Sequence, residues 1–226
     1  MMDIAITIKK GAPKNYTELK YALRSIEKNF HLLGDGDCYL LGEEAPDWFS
    51  GPLFNVAQPK GYSEISGVQF KLKAFTANYA GDEFCFSNDD IFILKQWAGT
   101  RYFNKHRNSQ SGFHNVTVSR AKFLLEQSTA HMVHDYELHI PIIYSTTALR
   151  WVFSAFDISI PTALRTLYSN LYPDDTAGML DCKVMNFMKP DMKWKFFSSD
   201  DSWAARRDFL DWLQATWPTP SRWEKR

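Results

Sequence analysis

Short apolar segments alternate with segments of helical periodicity over the first 94 residues, and this order constrains the fold more strongly than any other feature. The apolar segments have the length of β-strands and lie at 3–8, 38–41, 53–57, 83–87 and 91–94. Residues 18–30 and 68–79 instead place apolar side chains three and four positions apart, which predicts amphipathic helices. This order is typical of a mostly parallel sheet with helices on both faces. We therefore predict an α/β fold.

The second half of the chain is predicted to be mainly helical. Helical periodicity is present at 119–127, 146–156, 161–171 and 201–215. A polar loop is predicted at 99–115 and a further strand at 181–187. Because 226 residues fit one large domain, we treat 1–95 and 96–226 as two halves of a single domain with a helical C-terminal part.

Composition narrows the class of protein. The 26 basic and 26 acidic residues cancel, which argues against nonspecific coating of nucleic acid, and a hydrophobic fraction of 45% excludes wholesale disorder. Cys38, Cys85 and Cys182 lack zinc spacing and are predicted to be free and buried. The sequence has neither the pattern of a signal peptide nor an apolar segment of transmembrane length. We therefore expect no membrane span and a cytoplasmic location.

Two adjacent carboxylates follow the strand predicted at 83–87. Asn88, Asp89 and Asp90 stand where that strand ends, and ligands of parallel sheets bind at the carboxyl ends of the strands. Carboxylate oxygens are the hard ligands that Mg²⁺ and Mn²⁺ prefer. The position favours a divalent metal site, although the same three residues are also typical of a simple turn.

Further titratable residues occur after the midpoint of the chain. His139 precedes a proline in an apolar run and is suited to be a ligand of the same metal, a base, or a core histidine. Asp181 and Lys183 alternate with apolar residues, so they share one face of the predicted strand. Their side chains either point into a cleft or form an ion pair at the surface.

One segment of the chain is strongly basic. Residues 91–125 contain no acidic residue and six cations, which are Lys95, Arg101, Lys105, Arg107, Arg120 and Lys122. The block is either a solvated surface or a loop that receives a polyanion, such as nucleotide phosphates or a nucleic-acid backbone.

Several short segments together resemble a known group of enzymes. They are Leu-Lys-Tyr-Ala-Leu-Arg-Ser-Ile-Glu-Lys-Asn (19–29), Phe-Cys-Phe-Ser-Asn-Asp-Asp-Ile-Phe (84–92), His-Ile-Pro (139–141), Arg-Thr-Leu-Tyr-Ser-Asn (165–170), Asp-Cys-Lys (181–183) and Pro-Ser-Arg-Trp-Glu (220–224). They resemble blocks of Stealth-type capsular polysaccharide transferases and of small phage-encoded glycosyltransferases of the GT-A type. The Trp-Val-Asp-Gly run that opens Stealth proteins is replaced here by Ile-Lys-Lys-Gly at 8–11.

The resemblance implies a GT-A-like (Rossmann-like) fold, a nucleotide-sugar donor bound by 1–95, an acceptor bound by 96–226, and a Mn²⁺ or Mg²⁺ cofactor. It implies Asp90 and His139 as metal ligands. The residues implied to bind the donor are Lys9, Arg24, Lys73, Asn88, Asp89 and, at the pyrophosphate, Lys183. The candidates for the carboxylate that deprotonates the acceptor in an inverting reaction are Asp135, Glu137, Asp181 and Asp200. Tyr168 and Asn170 either contact the sugar or acceptor or cap a helix.

These features together predict a metal-dependent glycosyltransferase that moves a sugar from a nucleotide-sugar to a hydroxyl group. The acceptor is either a glycan or a hydroxymethylated base in DNA, and the host cytoplasm is the expected location if the gene belongs to a phage. Two alternatives stay open: transfer of a sugar 1-phosphate in the Stealth manner, and a catalytically inactive module that binds nucleotide-sugars.

Overall fold

The computed structural model describes residues 1–8, 16–105, 113–128, 130–132, 134–174, 176–183, 191–199 and 206–225. Within these ranges the strands are β1 (Asp3–Thr7), β2 (Cys38–Gly42), β3 (Leu53–Asn55), β4 (Glu83–Asn88), β5 (Ile91–Ile93), β6 (Arg101–Asn104), β7 (Ile142–Ser145), β8 (Thr176–Met179) and β9 (Phe196–Ser198). The helices are α1 (Thr17–Asn29), α2 (Glu64–Asn78), α3 (Phe113–Gln127), α4 (Thr146–Ala155), α5 (Leu164–Leu171) and α6 (Arg207–Thr216).

A five-stranded central sheet organises the chain in the order β3-β2-β1-β4-β7. β1 pairs in parallel with β2 on one side and β4 on the other, and β2 pairs in parallel with β3. The outer strand β7 runs antiparallel to β4. The prediction of an α/β fold with a mostly parallel central sheet is therefore confirmed.

Side chains alternate between the two faces of the sheet, as the pleat of a strand requires. In β1, Ile4 and Ile6 pack against Leu23 and Ile26 of α1, whereas Ala5 belongs to the core on the other face. That second core is completed by apolar residues of α2, α3, α4 and α5. Helices therefore cover both faces, as predicted.

Two short ladders lie outside the central sheet and correct the prediction for 99–115. β5 pairs antiparallel with β9, and β6 pairs in parallel with β8. The predicted polar loop is wrong at both ends, because Arg101–Asn104 is a strand and α3 begins at Phe113. The segment Arg101–Asn104 contains a tyrosine and a phenylalanine, which favour strands, and its backbone pairs with a partner more than seventy residues away. Residues 106–112 lie outside the described residues.

The predictions for the last third of the chain are only partly testable. The helix predicted at 201–215 is confirmed from Arg207 onward, and 201–205 lie outside the described residues. Of the strand predicted at 181–187, only 181–183 are described, and there Lys183 makes a single parallel bridge with Ser198.

The segment after α6 returns to α1 and packs against it. Glu224 accepts hydrogen bonds from Nε and Nη2 of Arg24 at 2.7 and 2.8 Å. Arg24 Nη1 donates to the Trp217 carbonyl at 2.9 Å. Both side chains of the ion pair are less than one-tenth exposed, so this pair closes the C-terminal segment over α1.

Two simpler predictions can be compared with the described residues. Cys38, Cys85 and Cys182 are buried and free, which confirms their predicted burial. None of the helices in the described ranges combines the length and apolar composition needed to cross a bilayer.

Candidate active site

The candidate site lies where the parallel strands of the central sheet end. Ile8 follows β1, Glu43 follows β2, and Asp89 and Asp90 follow β4. Because these three strands are adjacent and parallel, their carboxyl ends meet at one edge of the sheet. The acidic residues predicted from sequence are thus at the edge where such sheets bind ligands.

Asp90 is held by two donors on one oxygen. Its Oδ2 lies 3.1 Å from the Lys183 ammonium and accepts a hydrogen bond from Ser198 Oγ at 3.0 Å. The side chains of Asp90 and Lys183 are 23% and 27% exposed, so ligands can reach the pair. Asp90 also anchors its own turn, since its carbonyl accepts from the Ser199 amide. The structure thereby brings together two residues that the sequence analysis selected separately.

The residues at the end of β4 fit a divalent cation of the Mg²⁺ type. Asn88 Oδ1 is buried and has no hydrogen-bond partner among the described residues, so one hard oxygen is available there. Asp89 and Asp90 add carboxylates from the following turn. Within the described part of the chain, no three His, Cys, Asp or Glu side chains form a metal-holding group. Mg²⁺ in nucleotide sites is commonly held by one or two carboxylates together with substrate phosphates, which this donor set satisfies.

The antiparallel direction of β7 brings His139 to the same edge. The last residue pair of the β4–β7 ladder is Phe86 with Ile142, at the carboxyl end of β4 and the amino end of β7. Residues just before β7 therefore lie beside the residues just after β4. His139 is one of them, although it is about fifty residues from Asp90 in sequence.

His139 is oriented by Asp181. Its ring Nδ1 lies 2.8 Å from Asp181 Oδ2, and its backbone amide donates to Asp181 Oδ1 at 3.0 Å. Burial alone would raise the pKa of Asp181, but the hydrogen bonds and charge of His139 lower it overall. A carboxylate that binds Nδ1 leaves Nε2 available to a metal or a proton.

The segment 181–183 connects the two ion pairs. Asp181 binds His139 and Lys183 binds Asp90, and two residues of extended chain span at most about 7 Å. Cys182 Sγ donates to the carbonyl of His139 at 2.9 Å and fixes the segment from the other side. Four candidate residues therefore belong to one continuous arrangement.

Asp135 and Glu137 lie in a neighbouring polar cluster. Asp135 is buried and contacts His114 Nε2 at 3.3 Å and Thr166 Oγ1 at 3.1 Å. Glu137 Oε1 accepts from the backbone amide of Thr166 at 3.1 Å. The hydrogen bond with Asp135 raises the pKa of His114, so a positive charge is favoured at the start of α3.

The two carboxyls of this cluster have opposite pKa shifts. Burial opposes ionisation of Asp135, but its hydrogen bonds with His114 and the Glu137 amide leave its pKa lowered. Burial raises the pKa of Glu137, and the nearby Arg165 offsets only part of this effect. Arg165, whose guanidinium donates to the Ile140 carbonyl, is a buried cation that the analysis of single residues did not select. Asp135 is therefore suited to orient His114, and Glu137 to exchange a proton.

Lys71 is a second residue that sequence reasoning missed. It is only 5% exposed, and its Nζ donates to the Ile8 carbonyl at 2.6 Å, at the end of β1. Burial lowers the pKa of Lys71, and the carboxylates of Glu43 and Asp89 counteract part of that shift. Lys73, which was selected instead, lies on the exposed face of α2. The available signal was the position of this lysine on the apolar stripe of α2, three residues after Val68 and four before Phe75.

Three other candidate residues, Arg24, Asn170 and Tyr168, make hydrogen bonds within the protein. All three side-chain nitrogens of Arg24 bind Glu224 or the Trp217 carbonyl. Asn170 bonds the backbone of His134 through both ends of its amide. Tyr168 is buried, and its hydroxyl accepts from the Ser145 amide. Lys9 and Asp200 lie outside the described residues.

The chain is distantly similar to several solved structures. No protein-family model matches the chain, and no curated protein matches its sequence. Among solved structures, the apo glycosyltransferase GlyE of Streptococcus pneumoniae is 9% identical, with 79% of this chain and 45% of that chain covered and a TM-score of 0.42. The galactosyltransferase LgtC, in complex with donor and acceptor sugar analogues, is 10% identical with 98% of both chains covered and a TM-score of 0.48. An inositol-1-phosphate CTP transferase from T. maritima is 9% identical, with 95% and 96% covered and a TM-score of 0.49. The chain thus spans less than half the length of GlyE.

Proposed function

We propose that this chain is a metal-dependent glycosyltransferase that moves a sugar from a nucleotide-sugar to a hydroxyl group. The observation that carries the proposal is the Asp90–Lys183 pair at the carboxyl end of β4, joined through Asp181 to His139. A carboxylate for a divalent cation, a cation for phosphate oxygens and a polarised imidazole thereby occur at one sheet edge. In a metal-dependent inverting transfer, the divalent cation and the lysine stabilise the leaving group, and the imidazole is suited to remove the acceptor proton.

The donor side of the reaction needs positive charge at the leaving group. Asn88, Asp89 and Asp90 are the residues that would hold the cation, and they supply the hard oxygens it prefers. When bound, a divalent cation stabilises the negative charge that develops on the departing nucleoside diphosphate. Lys183 stands beside Asp90 and is suited to bind a phosphate oxygen, as the sequence resemblance implies.

The acceptor side needs a group that removes a proton from the attacking hydroxyl. His139 has Nδ1 bound to Asp181, which leaves Nε2 for this step or for the metal. Glu137 is the alternative base, because burial raises its pKa and Thr166 fixes one of its oxygens. Asp135 and Asp181 each contact a histidine and are suited to orient it. Asp200 stays a candidate from sequence alone.

For the acceptor we favour a glycan hydroxyl over a hydroxymethylated base in DNA. The basic block at 91–125 is partly neutralised or used within the protein, since Arg101 donates to the Tyr172 carbonyl and Lys122 faces Glu126 at 3.9 Å. A surface that grips a nucleic-acid backbone needs cations free to contact phosphates. A gel shift with duplex DNA, with and without hydroxymethylated bases, tests the DNA alternative directly.

Transfer of a sugar 1-phosphate is the second candidate function. The observation in its favour is that segments resembling Stealth blocks contact one another: 84–92 meets 181–183 through Asp90 and Lys183, and 139–141 meets 165–170 through Arg165 and Ile140. The products separate the two reactions. Glycosyl transfer releases a nucleoside diphosphate, and phosphosugar transfer releases a nucleoside monophosphate.

The test combines binding and product analysis. We expect one member of a nucleotide-sugar panel to raise the melting temperature in the presence of Mn²⁺, because a ligand that binds only the native state stabilises it. Asp90→Asn should abolish this increase, whereas Asp35→Asn, a control at an exposed turn on the opposite edge of the sheet, should retain it. Absence of any stabilising nucleotide-sugar would refute the proposed function, and full activity of Asp90→Asn would refute the metal site at Asp90. A stabilising nucleotide-sugar with no transfer to any acceptor would favour the inactive binding module.

A further inference from the structure

Lys183 occupies a position that conflicts with a metal ion in the absence of substrate. Its ammonium lies 3.1 Å from Asp90 Oδ2, the oxygen that also accepts from Ser198 Oγ. Asp90 is the carboxylate that the proposed function assigns to the divalent cation. A positive charge already pairs with this carboxylate, so an approaching cation meets both a neutralised ligand and a repelling neighbour.

A bound diphosphate reverses the sign of this effect. Phosphate oxygens bring negative charge beside the Asp90–Lys183 pair, where they can bind the cation and the ammonium together. The repulsion between the two positive groups is then offset by a shared anionic partner. Lys183 opposes the metal alone and favours the metal accompanied by diphosphate.

The alternative is that Lys183 serves only to hold its own segment in place. That segment is already fixed without it. Asp181 binds the backbone amide and the ring Nδ1 of His139, and the Cys182 thiol donates to the His139 carbonyl. The Ser198 amide also donates to the Cys182 carbonyl at 3.1 Å. The ammonium of Lys183 is thus not required to position residues 181–183.

We propose that Lys183 couples the two halves of donor binding: it weakens the binding of free divalent metal at Asp90 and strengthens the binding of the metal–diphosphate complex. This inference rests on the proposed function and adds a regulatory role at the same site. Coupling of this kind is reciprocal, so the metal increases diphosphate affinity by the same factor by which diphosphate increases metal affinity. The metal site is then filled mainly when a donor is present.

The experiment compares wild type with Lys183→Met. The affinity for free Mn²⁺ is measured by electron paramagnetic resonance, and the affinity for the Mn²⁺–pyrophosphate complex by titration calorimetry. We expect the variant to bind free Mn²⁺ about tenfold more tightly, because a neighbouring positive charge that is only partly exposed is removed. We expect it to bind Mn²⁺–pyrophosphate about tenfold more weakly, because a charged hydrogen bond to phosphate is lost. Lys28→Met removes one exposed lysine at the opposite edge of the sheet and should change neither value.

Opposite shifts in the two affinities distinguish this role from a structural one. If both affinities fall together or neither changes while wild type still binds Mn²⁺, the coupling role of Lys183 is wrong and the proposed function stands. If wild type binds neither Mn²⁺ nor its pyrophosphate complex, the metal-dependent function itself is refuted, and the inference falls with it. Lys183→Arg keeps the charge and should behave like wild type toward free Mn²⁺.

Discussion

Removal of the Glu224 carboxylate is expected to destabilise the fold strongly. Glu224 accepts two hydrogen bonds from Arg24 and further bonds from the amide and hydroxyl of Ser221, and it is almost completely buried. Glu224→Ala leaves the Arg24 guanidinium buried without its charge partner, which typically costs about 3–5 kcal/mol. For a chain of this size that corresponds to a decrease in melting temperature of about 6–20 °C.

The assay is urea denaturation followed by circular dichroism, with two comparison variants. Glu224→Gln keeps an oxygen for Ser221 but loses the charge, so it should have an intermediate effect. Replacing Arg24 and Glu224 together with leucine leaves no uncompensated charge and should cost less than Glu224→Ala alone. If the double replacement destabilises the protein as much as Glu224→Ala alone, or more, the cost does not come from an uncompensated charge and the reasoning is refuted.

The pH dependence of this effect has a definite sign. Burial opposes ionisation of Glu224, but hydrogen bonds from Arg24 and the Ser221 amide lower its pKa below the ordinary value of a glutamate. A lowered pKa contributes stability above the unfolded-state pKa, about 4.3, and that contribution is lost as the pH falls through the folded-state pKa. The stability difference between wild type and Glu224→Ala should therefore shrink on acidification below about pH 4.

Two further predictions concern the acidic residues near the site. Glu137→Gln should raise the melting temperature at pH 7 and leave it unchanged below about pH 4. The raised pKa of Glu137 means that its ionisation at neutral pH destabilises the folded state, and glutamine removes this cost while it still accepts from the Thr166 amide. An unchanged melting temperature at pH 7 would contradict this. Asp181→Asn should lower kcat about a hundredfold without changing the affinity for Mn²⁺ if His139 acts as the base. A weaker Mn²⁺ affinity in that variant would instead assign His139 to the metal.

The first half of the fold could be predicted because its signals are local. In β1 and α1 the spacing of apolar residues matches the faces that are buried, as for Ile4, Ile6, Leu23 and Ile26. Such patterns depend only on the period of a strand or helix. The end of β4 was found for the same reason, since an apolar strand stops abruptly at Asn88.

The pairing of the short strands outside the central sheet could not be predicted, because their partners are distant in sequence. The strand β5 itself was predicted at 91–94, whereas β6 was assigned to a loop. Arg101–Asn104 pairs with Thr176–Met179, and Ile91–Ile93 pairs with Phe196–Ser198 more than a hundred residues later. Nothing within such a segment identifies its partner. Strand preference depends on the neighbours that the fold provides.

Some of the candidate site residues selected from the sequence lie together in the structure, whereas one buried cation near them was not selected. Asp90, His139, Asp181 and Lys183 come together in two linked pairs, although their sequence positions span more than ninety residues. Their individual roles stay predictions. Lys71, by contrast, was not selected, although it lies on the apolar stripe of α2; the structure shows it buried and bonded to the Ile8 carbonyl.

The ladder between β4 and β7 has a consequence for which sequence changes the site can tolerate. Phe86 pairs with Ile142, Asp90 lies four residues beyond the first and His139 three residues before the second. Backbone pairing therefore fixes how far Asp90 and His139 lie beyond the last paired residues of the sheet. One residue inserted between the ladder and either side chain would displace that side chain by about 3.3 Å, the rise of a strand. The alignment of these two groups depends on the number of residues in the connecting segments far more than on their identity, so one-residue insertions or deletions there should be more damaging than most substitutions.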